Sequence, residues 1–171
     1  TAGPDVLLWV GWQKVLIGLL FSTFLGFGGG WLITLAIHWL FRHASPGRVR
    51  KLFGKLQLLS ATFMAFGHGS NDGQKFIGAF TLALVLGGVL PEFKVSVEVM
   101  ILCSLVMGIG TSIGGWRIIK TMGMKIVRLE THQGFAAETG AAASIQLATA
   151  FGIPLSTTHT ISTSIVGVGS M

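Results

Sequence analysis

A polar, glycine-rich island, Gly67-His68-Gly69-Ser70-Asn71-Asp72-Gly73-Gln74-Lys75, separates two strongly apolar runs. Asp72 has the sharpest chemical implication. A carboxylate inside apolar sequence is costly unless it is paired or hydrated, so it marks a ligand or ion site. Asn71 adds a donor and an acceptor, and Ser70 a hydroxyl. Gly67, Gly69 and Gly73 leave the backbone free to open and present amide groups. A second island, Gly152-Ile153-Pro154-Leu155-Ser156-Thr157-Thr158-His159-Thr160, breaks the uncharged C-terminal stretch. Its Ser156, Thr157 and Thr158 bring three hydroxyls to a helix start, where free N–H groups and the positive end of the dipole form an oxyanion cradle. The competing accounts are structural: a solvated surface loop at 67–75 and an ordinary N-cap after Pro154. Two helix-breaking islands in one apolar chain favour a substrate site built from interrupted helices, as in transporters.

Glu138 is the other acid in apolar surroundings, with His132 and Gln146 on the same segment. It is a candidate to bind a cation, relay a proton or pair with Lys75; a structural ion pair explains it equally well. His68 and His159 flank the islands, where polar packing is the simpler role. Five scattered histidines and one cysteine show no metal-ligand spacing. Catalytic patterns are absent. No Walker A sequence occurs, and Gly69-Ser70 is not a nucleophile elbow, which needs Gly-x-Ser-x-Gly. The chain is therefore read as a non-enzyme without a cofactor.

The elements that must position these groups are helices in a bilayer. Of 171 residues, 51% are hydrophobic and only 11% charged, with a mean hydropathy of +0.74, against about a quarter charged in a soluble domain. Residues 15–41 are predicted to form the first membrane helix, packed through Gly26 and Gly30, a small-xxx-small pair. Residues 42–57 form a basic linker holding Arg42, Arg48, Arg50, Lys51 and Lys55. Residues 58–90 form one crossing broken near 67–73, residues 99–116 another crossing with Gly110 and Gly114 as a second small-residue pair, and residues 117–130 a second basic linker. The positive-inside rule puts both linkers in the cytoplasm and the loop at 91–98 outside. A nucleic-acid partner is excluded, since the basic clusters are short linkers rather than a soluble basic surface. Residues 131–171 read as a helical hairpin, with Pro154 near its tip and Ser156–Thr158 as N-cap candidates of the second arm. The hairpin is expected to be re-entrant, because a tip of hydroxyls suits a cavity better than bulk water.

The sequence also carries a resemblance. Gly69-Ser70-Asn71-Asp72-Gly73-Gln74-Lys75 resembles the Gly-x-Asn-Asp signature of the inorganic phosphate transporter (PiT, or PHO4) family, in the form seen in the second half of bacterial members. Gly134-Phe135-Ala136-Ala137-Glu138-Thr139 through Pro154-Leu155-Ser156-Thr157-Thr158-His159 is similar to that family's later block. The resemblance implies an all-α, polytopic membrane protein of inverted-repeat design, with this chain as the second repeat and the first repeat as a missing partner. It implies cation-coupled transport of inorganic phosphate, driven by protons or sodium, across the inner or plasma membrane. Ser70, Asn71, Asp72, Ser156, Thr157 and Thr158 are then expected to bind phosphate, with Asp72 and Glu138 as positions for the coupling cation. A homodimer is a candidate assembly. The alternatives are a carrier for another oxyanion such as sulfate, or a non-transporting membrane subunit.

Overall fold

A computed structural model describes residues 9–121, 129–153 and 155–171, and among them every regular element is an α-helix. Helix α1 spans Trp9–Phe41, α2 Pro46–Leu86, α3 Val97–Thr121, α4 Thr131–Ala150 and α5 Thr157–Gly169. Two described stretches are long and apolar enough to cross a bilayer, Gly11–Phe41 and Val97–Arg117. Pro154 and half of the second basic linker, residues 122–128, lie outside the described residues.

The largest departure from expectation is α2. Its 41 residues run without interruption, so the predicted break near 67–73 is corrected, and most of the first basic linker joins the same helix. Three glycines in this segment each weaken a helix by about 1 kcal/mol. Two side-chain contacts span it on the helix surface: His68 lies 3.6 Å from Asp72 at i,i+4, and Lys75 lies 3.0 Å from Asp72 at i,i+3. Helix α4 lies alongside, and Gly67 is buried beneath Gln146. The helix stops where Gly88 takes φ 72°, with Val89 N–H donating to Leu84 O (2.9 Å) and Gly88 N–H to Val85 O (3.0 Å), a six-to-one closure that needs a left-handed residue.

The predicted hairpin is present as a helix–turn–helix. Gly152 at φ 65° makes the same closure after α4, with Ile153 N–H donating to Ala148 O at 2.9 Å. Ser156, one of the three N-cap candidates, caps α5, its hydroxyl accepting from His159 N–H.

Small residues bring the hairpin against α1. Gly26 meets Thr160 and Thr163, Gly30 meets Ser164, and Gly29 and Gly30 meet Gly140. A Cβ on Gly140 would stand 2.6 Å from the Gly30 nitrogen, so glycine is required for this approach. Across the seam Ser144 Oγ donates to Leu25 O (2.9 Å) and Thr163 Oγ1 to Ser22 O (3.2 Å), while Ser164 Oγ of α5 donates to Ala137 O of α4 (2.8 Å). These pairs make α1 parallel to α5 and antiparallel to α4. Helix α2 runs parallel to α4, with Gln57 against Gly134, Ser60 on Glu138 and Gly67 on Gln146. Gly110 and Gly114, by contrast, meet nothing within 4 Å. Helix α3 packs on α2 and leaves a broad apolar face outward, Ile113 being 80% exposed.

Candidate functional site

The two polar islands meet. Thr157 Oγ1 on the first turn of α5 lies 3.4 Å from Asp72 Oδ2 and 3.5 Å from Oδ1 on α2. Lys75, one turn along α2, donates to Asp72 Oδ1 at 3.0 Å and reaches the Leu155 carbonyl of the hairpin turn at 3.5 Å. Around them lies a cleft of about 330 Å³, lined by Val15 and Leu19 of α1, Asp72 and Lys75 of α2, and Leu155 through Thr158. Its position follows from the register above: the parallel course of α2 and α4 carries Asp72 to the level of the α4–α5 turn. His159 anchors the first turn of α5 by a 2.9 Å hydrogen bond between its Nε2 and Thr23 Oγ1 of α1.

The electrostatics suit an anion bound beside a carboxylate. The first N–H groups of α5 have no partner within the helix and carry its positive partial charge. The hydroxyls of Ser156 and Thr158 line the same cleft, and Lys75 places an ammonium there. Asp72 is compensated on two sides, by Lys75 and by the Thr157 hydroxyl, and His68 Nε2 stands 3.6 Å away.

Of the expected phosphate ligands, Asp72, Ser156, Thr157 and Thr158 are brought together. Ser70 and Asn71 do not line the cleft. In an unbroken helix neighbouring side chains point about 100° apart, so Asn71 cannot share the direction of Asp72. Glu138 is placed elsewhere. Its Oε2 accepts from Ser60 Oγ at 2.6 Å, and Ser60 precedes Asp72 by twelve residues, about 18 Å along α2. The pairing of Glu138 with Lys75 is thus replaced by Glu138–Ser60 and Lys75–Asp72. Lys75 itself was not singled out as a site residue from the sequence. Its i,i+3 spacing from Asp72 is the signal that a helical reading of the island would have used.

Comparison with known proteins bears on this geometry. Residues 42–171 match the model of the phosphate transporter family. A relative from Rhizobium meliloti (strain 1021), named "Probable low-affinity inorganic phosphate transporter", is 43% identical over 98% of this chain and 51% of its own length. A Bacillus subtilis (strain 168) protein of the same name is 36% identical over 99% of this chain and 51% of its own length. From Arabidopsis thaliana, "Inorganic phosphate transporter 2-1, chloroplastic" is 38% identical over 69% of this chain and 21% of its own. The chain spans about half the length of the two bacterial relatives. No solved structure matches it significantly.

Proposed function

This chain belongs to the phosphate transporter family, and we propose that the cleft between Asp72 and the start of α5 is a phosphate half-site of a secondary transporter driven by a proton or sodium gradient. The observation that carries this reading is the Thr157–Asp72 contact, which joins an anion-attracting helix start to an acid with its own counter-ion. Phosphate oxygens accept from the free N–H groups of α5 and from Ser156, Thr157 and Thr158. A carboxylate beside that anion is repelled by about 4 kcal/mol at 4 Å with an effective dielectric of 20. A cation taken up at Asp72 removes that repulsion and releases Lys75 to the phosphate, so the two substrates favour each other's binding. Such mutual dependence is what coupled transport requires.

The geometry also supports a re-entrant hairpin. Its tip meets α2 at Asp72, fourteen residues before the end at Leu86, so α2 continues about 21 Å beyond the tip. A turn that stops short of its neighbour's end suits a site within the membrane, completed by an inverted second copy of the same constellation elsewhere in the protein. Ser70 and Asn71 join such a site if α2 opens around its glycines during the transport cycle. Glu138 then serves as a second cation position, remote from the first.

The test is uptake of labelled phosphate by proteoliposomes containing the protein at its full natural length, with sodium and pH gradients imposed separately. Uptake that follows one gradient and resists excess sulfate supports the reading and identifies the ion. Equal inhibition by sulfate makes the site a general oxyanion site. Folded protein that moves no phosphate under either gradient overturns the proposal.

A further inference from the structure

The basic end of the bundle holds a second and larger cleft, of about 840 Å³, between the end of α1, the start of α2 and the start of α4. It lies far from Asp72: Leu19 and His38 of α1, one from each cleft, are nineteen residues or about 28 Å apart along the helix. Arg42 and Arg50 line it, and both side chains are exposed. Among the described residues neither guanidinium has a carboxylate within 4 Å. Gly47, in the first turn of α2, also lines it, and a Cβ there would meet nothing within 4 Å. Pro46 has no N–H, and the Arg48 and Val49 N–H groups both donate to Ser45 O (2.9 and 3.2 Å), so the Gly47 N–H is the donor of that turn left open to close approach. The opposing charge is Glu130, which is 77% exposed and 3.5 Å from His132 Nδ1. His132 is mostly buried against the ring of His38 (5.6 Å between centroids). Ile37, Phe41 and Val49 give the cleft apolar walls.

Two guanidiniums with no carboxylate partner among the described residues and the Gly47 N–H in the same cleft, set against apolar walls, match one kind of ligand. We propose that this cleft binds a phosphate-bearing anion, either free phosphate or the headgroup of an anionic phospholipid, held by Arg42 and Arg50 in the bidentate manner guanidinium favours for phosphoryl oxygens. Basic pockets between helices at a membrane's cytoplasmic face suit such headgroups. The site is independent of whether the Asp72 cleft carries phosphate.

The experiment is thermal unfolding of the full-length protein in neutral detergent, titrated with phosphatidylglycerol in one arm and inorganic phosphate in the other. A ligand that binds the folded state raises the midpoint. Arg42→Gln/Arg50→Gln is expected to remove the shift in at least one arm, each guanidinium contributing about tenfold in affinity. Lys51→Gln/Lys55→Gln, which removes equal charge from side chains outside the cleft, is expected to keep it. The arm that loses its shift identifies the source, lipid or free phosphate; any phosphate shift that survives the arginine changes belongs to the other cleft. Arg50→Gln alone gives a smaller loss in the same arm and serves if the double variant does not fold. Equal losses from the arginine and lysine pairs, or no shift that depends on the arginines in either arm, overturn the proposal.

Discussion

Thr157 and Asp72 stand 85 positions apart in sequence, yet their side chains lie 3.4 Å apart where α5 begins against the middle of α2. This contact turns two separate polar islands into one cleft and places a helix start opposite an acid–base pair, Asp72 and Lys75. The chemistry of the cleft can be probed one group at a time.

Asp72→Asn keeps an acceptor for Thr157 but removes the charge that holds Lys75. An ion pair with a half-exposed lysine is worth about 0–1 kcal/mol, so the variant should unfold within a few degrees of the parent. Gradient-driven phosphate uptake should nevertheless be lost. Lys75→Gln should instead raise the phosphate KM by about tenfold, the scale of one charge-assisted hydrogen bond, while dependence on the cation remains. Wild-type uptake by Asp72→Asn would remove Asp72 from the mechanism.

Ser156 caps α5, and substitution can separate that role from its proposed role as a phosphate ligand. Ser156→Ala removes the cap and should lower stability by about 1 kcal/mol. Ser156→Asp retains a capping oxygen but puts negative charge where the anion is proposed to bind. Its stability should match the parent while phosphate binding, read by calorimetry, falls well below that of Ser156→Ala. Equal binding by the two variants would place the anion elsewhere.

Glu138→Gln preserves an acceptor for the Ser60 hydroxyl and should leave the fold intact. Uptake at saturating phosphate should become less sensitive to the driving cation, with the phosphate KM little changed. A raised KM with normal cation dependence would make Glu138 part of the phosphate site, against its separation from Asp72 along α2.

Gly140→Ala drives a methyl group into the α1 backbone at Gly30. Overpacking of this kind costs about 1–3 kcal/mol, more than alanine's advantage of about 1 kcal/mol over glycine in a helix. Thermal unfolding should show a clear loss. Gly110→Ala, where nothing lies within 4 Å, should be neutral or mildly stabilising. A stable Gly140→Ala protein would contradict the close seam between α1 and α4.

Much of the architecture was legible locally. The first helix is expected over 15–41, and α1 shares its end at Phe41 but starts earlier, at Trp9; the second polar island holds a turn at Gly152, and Ser156, one of three N-cap candidates, caps α5. These features depend on capping chemistry and glycine's tolerance of positive φ, which act within a few residues. The continuity of α2 was not legible. Gly67, Gly69 and Gly73 argue for a break, and the contacts that favour helix come from Lys75, one turn further on, and from Gln146, 79 positions away. The Ser60–Glu138 hydrogen bond likewise had no local signal, because nothing near either residue specifies that α2 and α4 run parallel in that register.

The sequence by itself determined the chemistry available: one acid and one lysine in a glycine-rich island, three hydroxyls at a helix start, and long apolar segments to hold them. Those properties belong to residue types and short spacings. Tertiary structure decided which of these groups face one another. The small-residue seam of Gly26, Gly29, Gly30 and Gly140 sets how closely α1 receives the hairpin, and the α2–α4 register carries Thr157 to Asp72 while the unbroken helix turns Asn71 away. Side-chain direction on a helix follows a fixed angle per residue, so the register of packed backbones, rather than the proximity of residues in sequence, selects the members of the site.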